Sequence, residues 1–120
     1  MKNSDIGKKG EDLAEEYLSS LGYSILERNW RYSRAEVDII AKEENVLVFI
    51  EVKTRSSEAF GQPEEFISDY QQGLIFSAAQ RYMEKVNHDW EIRFDSISIL
   101  VKEITEWKHY EIKHLKDIYH

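Results

Sequence analysis

The chain has no cysteine and only one proline, Pro63, in 120 residues. Without thiols, disulfides and thiolate-bound metals are excluded, so a metal could be held only by oxygen or imidazole. No linker, repeat or low-complexity tract interrupts the sequence, and its length is that of one domain spanning 1–120. No apolar run approaches the roughly 20 residues of a membrane helix. The start, Met1-Lys2-Asn3-Ser4-Asp5, lacks the apolar stretch of a signal peptide. The expectation is a cytoplasmic protein with no membrane partner. The 42% of hydrophobic and 32% of charged residues suit an ordinary globular domain.

Positive charge is also scarce. The net charge of −7 runs against a general nucleic-acid binder, which usually presents a basic surface. The deficit is uneven: residues 1–57 hold 9 basic and 11 acidic groups (−2), and the remainder 7 and 12 (−5). Within the first part, Arg28, Arg31 and Arg34 interleave with Trp30 and Tyr32. That mixture serves phosphate contact and base stacking, and it equally describes a solvated strand edge.

Apolar periodicity sets out the elements. Ile6, Gly10, Leu13, Ala14, Tyr17, Leu18 and Leu21 recur at helical spacing from about residue 5, and Gly22 is a natural stop. Three β-prone runs follow: Tyr23 to Tyr32, Ala35 to Ala41 and Val46 to Thr54. The polar Lys42-Glu43-Glu44-Asn45 has the length of a hairpin loop, which makes the second and third strands antiparallel neighbours. A loop, Arg55 to Gly61, leads to a second helix from Ser68, with Gln71 in capping-box spacing and Tyr70, Leu74, Ala78, Tyr82 and Val86 facing inward. A fourth strand runs from Glu91 to Val101, with a parity slip that suggests a bulge near Asp95, and an aromatic fifth from about Thr105 to Ile112. The order α-β-β-β-α-β-β predicts a mixed α/β domain, a sheet flanked by helices.

Two of these strands hold the chemistry. Side chains alternate between faces, so Asp38 shares a face with Glu36, and Glu51 with Lys53, while Val37, Ile39, Ile50 and Val52 point the other way. A hairpin loop from Glu43 to Val46 pairs Lys42 with Leu47 and sets Glu51 opposite Asp38, within the roughly 5 Å of cross-strand partners. Mg²⁺ takes one or two carboxylates plus water and substrate phosphate, so Asp38 and Glu51, with the backbone carbonyl of Val52, suit Mg²⁺ or Mn²⁺. Lys53 would stand beside the metal, where an ammonium can orient water or offset charge in phosphodiester hydrolysis. Glu36 stands behind Asp38, and Arg55 can grip a phosphate or pair with a nearby carboxylate. The same pattern also reads as a solvated face laced with cross-strand ion pairs.

The longer text resembles a known family. Gly10-Glu11-Asp12-Leu13-Ala14, Arg28-Asn29-Trp30-Arg31, Ala35-Glu36-Val37-Asp38-Ile39-Ile40-Ala41, Val48-Phe49-Ile50-Glu51-Val52-Lys53-Thr54-Arg55, Phe60-Gly61 and Arg93-Phe94-Asp95 closely resemble, in order, the YraN-like family (uncharacterised protein family 0102). That family is counted among predicted members of the PD-(D/E)xK nuclease superfamily. The resemblance implies a restriction-endonuclease-like core and a Holliday-junction-resolvase-like activity. It places Asp38, Glu51 and Lys53 at the metal and catalytic positions and Glu11 as the helix-borne acid that completes them. Two positions depart from the family pattern: Ala35 where it usually has glycine, and Gln71 where a lysine commonly meets phosphate. Glutamine can still donate to a phosphate.

The leading expectation is therefore a Mg²⁺- or Mn²⁺-dependent DNA endonuclease with Arg31, Arg34, Arg55 and Gln71 on the nucleic acid. The alternatives are a nuclease-fold module that binds DNA or a protein without cutting, and an unrelated α/β interaction domain. His88, His109, His114 and His120 show no ligand spacing and read as surface residues. Trp107, Tyr110, Leu115, Ile118 and Tyr119 either cover the sheet edge or join a partner in a homodimer.

Overall fold

The first helix, α1 (Asn3–Ser20), buries Ala14 and Leu18 completely. It ends where expected. Gly22 takes φ 94°, and the Tyr23 amide donates to the Leu18 carbonyl at 3.0 Å, satisfying an acceptor that the last turn would otherwise leave free. The computed structural model describes residues 3–56, 69–102 and 109–119.

Five strands follow in chain order, β1 (Ser24–Tyr32), β2 (Ala35–Glu43), β3 (Val46–Ser56), β4 (Ile92–Val101) and β5 (Tyr110–Leu115), with α2 (Asp69–Val86) between β3 and β4. They lie in one sheet in that same order. Pairing is antiparallel except between β3 and β4, whose parallel register needs the crossover that α2 occupies. The order is the predicted α-β-β-β-α-β-β, a mixed α/β sheet flanked by helices. Both hairpin tips use a residue with positive φ at the first turn position, Ser33 (59°) and Glu44 (53°), where glycine is the commoner choice.

The two helices cover opposite faces. Val48 and Ile50 of β3 pack with Ala14 and Leu18 of α1, while Leu47 and Phe49 pack with Ala78, Ala79 and Tyr82 of α2. A strand buried on both faces loses its polar alternation. This overturns the expected bulge near Asp95: the β3–β4 register runs without a break from Leu47↔Ile92 to Ser56↔Val101. Phe94 packs toward α2 and Ile97 toward α1, so the parity slip in the sequence was two-sided burial. The irregularity lies instead in β1, between Ile25 and Glu27.

Other boundaries moved. Arg55 and Ser56 belong to β3 rather than to a loop, and the rest of that expected loop lies outside the described residues, as do Ser68, Thr105 and Trp107. Tyr70 (62% exposed) and Val86 (42%), at the two ends of α2, face solvent rather than the core. Two histidines expected at the surface, His88 and His114, have buried side chains. His88 caps the end of α2 with its amide on the Met83 carbonyl, and the His114 ring lies against Tyr17 and Tyr23.

Candidate active site

Strands β2 and β3 part company in the middle of the sheet. Their ladder matches the hairpin expectation, with Lys42↔Leu47, and continues to Ile39↔Ile50. Beyond that point β2 stays with β1 and β3 with β4, opening a fork whose first positions are Asp38 and Glu51. The Asp38 carboxylate enters the fork: the Val52 amide donates to its Oδ2 at 2.8 Å, where a ladder carbonyl would otherwise accept. A side chain thus satisfies the backbone donor that the divergence leaves free.

A local change of face aims Asp38 there. Val37 packs with the α2 layer and Ile39 with the α1 layer, so β2 does not alternate simply across Asp38. Arg28↔Ile39 and Trp30↔Val37 bracket the position opposite Asp38, which is Asn29, held at φ 53°. The expectation that Val37 and Ile39 share one apolar face is therefore corrected. A left-handed residue in β1 lets both strands roll together at this point, and asparagine tolerates that conformation better than most residues.

Electrostatics mark the same spot. Burial pushes Asp38 up to about 7, the Val52 hydrogen bond opposes this, and the negative charges of Glu11, Glu51 and Glu36 push in the same direction as burial. Carboxylates gathered from α1, β2 and β3 repel one another unless a cation joins them. Among the described residues no group of three or more His, Asp or Glu side chains is arranged to hold a metal. Asp38 and Glu51 both line one pocket at the fork. Val52 offers its amide to Asp38 and turns its side chain to the α1 core layer.

The other expected residues fall into two groups. Lys53 and Arg55 follow Glu51 at alternate positions of β3, and both are half-buried. Glu11 is near enough to act on Asp38 but is held by Arg28, 3.2 Å from its Oε1. Glu36 pairs with Arg31 at 2.8 Å, and that arginine is 77% exposed. Arg34, in the β1–β2 turn, donates to the Tyr70 hydroxyl at 3.1 Å, which joins the hairpin tip to the start of α2, where Gln71 is exposed.

Arg28 has a role that the sequence did not suggest. Rather than a phosphate-facing member of the basic strip, it is a clamp on α1, reaching Glu11 and Asp12 at 3.2 Å and Glu15 at 3.5 Å. Trp30 is likewise a packing residue, edge-on to Tyr82 at 5.2 Å. The close approach of α1 to β3 depends on Gly10, whose side chain as alanine would overlap Thr54 Oγ1 and lie 3.2 Å from its Cβ.

Beside the fork lies a pocket of about 130 Å³, with Asp38 and Glu51 on its rim and Phe49, Ile75, Phe94, Ile118 and Tyr119 in its walls. The last two arrive after β5. Asp117 takes φ 58°, its amide donates to Asp95 Oδ1 at 3.0 Å, and the Ile118 amide donates to the Phe94 carbonyl at 2.8 Å. Asp95, 1% exposed, also accepts from Arg93 and from His114 Nε2 at 2.8 Å. Burial alone would raise its pKa, but the hydrogen bonds from His114, Arg93 and the Asp117 amide prevail and hold it at about 2. The family-like Arg93-Phe94-Asp95 thus braces the C-terminal segment. No local signal could have shown this, since its partners lie 19 to 70 residues away.

Comparison with known proteins accords with the motifs. The chain is 44% identical over 119 residues to a UPF0102 protein of Flavobacterium psychrophilum, covering 99% of this chain and 97% of that one. Identity is 43% over 118 residues to a relative in Christiangramia forsetii (98% and 96% covered), and 41% over 119 residues to one in Clostridium botulinum (98% and 95%). With a family model that matches residues 10–99 in addition, the chain belongs to Uncharacterised protein family UPF0102.

Proposed function

We propose that the protein is a divalent-metal-dependent DNA endonuclease. The observation that supports this reading best is the Asp38 carboxylate in the β2–β3 fork, hydrogen-bonded to Val52 and raised to about 7 among Glu11, Glu51 and Glu36. A buried acid crowded by like charges is costly to the fold, and such arrangements concentrate at functional sites. Mg²⁺ or Mn²⁺ bound by Asp38 and Glu51 would supply a Lewis acid for the phosphoryl oxygen and a more acidic water. Lys53 offsets the negative charge that builds on the phosphorus oxygens and orients the attacking water. Arg55 and Gln71 would contact neighbouring phosphates, with Arg31 and Arg34 approaching from the hairpin tip. A two-fold dimer of such a protein would match the symmetry of a duplex.

The test is cleavage of branched, nicked and linear DNA in Mg²⁺ or Mn²⁺. Wild type should cut at least one of them, and Asp38→Ala, Glu51→Ala and Lys53→Ala should each lose activity by 10²-fold or more, roughly the loss of a transition-state contact. Equal cleavage by the variants sinks the assignment. A second reading, a nuclease-fold module that binds DNA or a protein without cutting it, is favoured by the net charge of −7 and by the engagement of Arg28 and Arg31 with carboxylates. Calorimetric titration with Mn²⁺ separates the two, because only the nuclease requires binding that Asp38→Asn abolishes. Among the described residues no helix is long and apolar enough to cross a membrane.

A further inference from the structure

The pocket beside the fork is more elaborate than metal binding needs. Its walls are aromatic: Phe49 and Phe94 stack at 5.4 Å with planes 26° apart, and Tyr119 leans on Phe94 at 5.6 Å. Phe76 supports Tyr119 from behind, edge-on at 5.7 Å. A volume of about 130 Å³ is close to that of cavities, roughly 150 Å³, that admit a benzene-sized ring. It is far too small for stacked base pairs. Among the described residues the hydroxyl of Tyr119, a residue of the pocket wall, is buried without a hydrogen-bond partner, while Glu51 lies near enough to act on it electrostatically. A buried hydroxyl without a partner is costly and rare, and it calls for an acceptor or donor that arrives with a ligand.

We propose that this pocket receives a single unpaired nucleobase next to the phosphodiester held at Asp38 and Glu51, so that the substrate is DNA carrying an unstacked nucleotide rather than continuous duplex. The inference rests on the nuclease reading for the position of the phosphate, but its walls and hydroxyl are separate from the carboxylates. Enzymes that act on one nucleotide commonly take its base out of the stack and hold it between apolar and aromatic side chains, with a few polar groups on its edge. Here Phe49, Phe94 and Tyr119 supply aromatic walls, Ile75 and Ile118 aliphatic ones, and the Tyr119 hydroxyl meets a heteroatom of the base. An already unpaired base enters such a pocket without the cost of unpairing and unstacking that a paired one would incur.

The experiment uses the whole chain in Ca²⁺, with 2-aminopurine as the unpaired nucleotide of a flapped duplex and, for comparison, within a continuous one. Binding of wild type should quench the unpaired probe and leave the paired probe unchanged. Tyr119→Ala should weaken binding of the flapped DNA roughly ten- to a hundredfold, the range expected for loss of one base–aromatic stack. Tyr119→Phe, which keeps the ring, should weaken it by roughly three- to tenfold, as for one hydrogen bond. Unchanged probe emission, or equal affinity for flapped and continuous DNA, overturns the proposal. Cleavage in Mg²⁺ or Mn²⁺ with no such preference removes the pocket and spares the nuclease; quenching without cleavage in either metal does the reverse.

Discussion

Replacing Asp38 by asparagine should make the metal-free protein more stable at neutral and alkaline pH. Burial, opposed by the Val52 hydrogen bond and reinforced by the charges of Glu11 from α1, Glu51 from β3 and Glu36 on its own strand, raises this carboxyl from 3.8 to about 7. Between those values the folded protein keeps a proton that the unfolded chain has released. Stability therefore falls as pH rises from about 4 to about 7, and the penalty is complete above that range. At about 1.4 kcal/mol per pH unit the ceiling is ~4 kcal/mol, and partial solvent access reduces the expected effect to about 2 kcal/mol. Asparagine retains an oxygen to accept the Val52 amide, so the backbone hydrogen bond at 2.8 Å survives while the charge is removed. Urea unfolding followed by tryptophan fluorescence in EDTA should find Asp38→Asn ahead of wild type at about pH 8 and level with it at about pH 4. Adding Mn²⁺ at the higher pH should stabilise wild type and not the variant. A variant no more stable than wild type at the higher pH would refute the account of the fork as an electrostatically strained site.

The remaining predictions concern what holds that site in place. Asp95→Asn removes the buried anion that joins Arg93, His114 and the Asp117 amide, and should cost about 3 kcal/mol at neutral pH. Because Asp95 is held at about 2, below its ordinary 3.8, its contribution is full above 3.8 and lost as pH falls through 2. The deficit of the variant in urea should therefore shrink on acidification, and a deficit independent of pH over that range would contradict the charge-based account. Hydrogen exchange at the Ile118 amide should quicken in the same variant, since Asp95 anchors the preceding turn. Gly10→Ala should lose about 1–3 kcal/mol by forcing α1 off β3, and Thr54→Ala in the same chain should restore most of it. Additive effects in that double-mutant cycle would mean that the contact is not the cause. Arg28→Ala removes the cation shared by Glu11, Asp12 and Glu15, of which Asp12 keeps Lys8; thermal melts should show a loss of about 1–2 kcal/mol that added salt partly relieves.

Much of the candidate site was legible because it depends on local rules. Period-two alternation and a short polar turn between Lys42 and Leu47 are enough to propagate a register, and that register holds as far as Ile39↔Ile50, one position short of Asp38 and Glu51. Helix periodicity and Gly22 likewise fixed the extent of α1, since capping is settled within a few residues. Alternation failed as a guide in β4. There both faces are covered, so Phe94 and Ile97 are each buried on their own side and the pattern imitates a bulge. The histidines failed similarly: nothing adjacent to His114 in the chain reveals that β5 will deliver it to Asp95 and Tyr17.

The sequence by itself determined the order of the elements and the family to which the chain belongs, because these follow from side-chain type, periodicity and a continuous run of motifs. Only the tertiary structure decided how those residues meet. That Asp38 turns into a fork and accepts the Val52 amide, that Arg28 clamps α1 instead of facing phosphate, and that Tyr119 closes an aromatic pocket beside Glu51 are all outcomes of distant segments packing together. Each depends on contacts between residues 13 or more positions apart, whose pairing is selected by the shared core rather than by any local propensity.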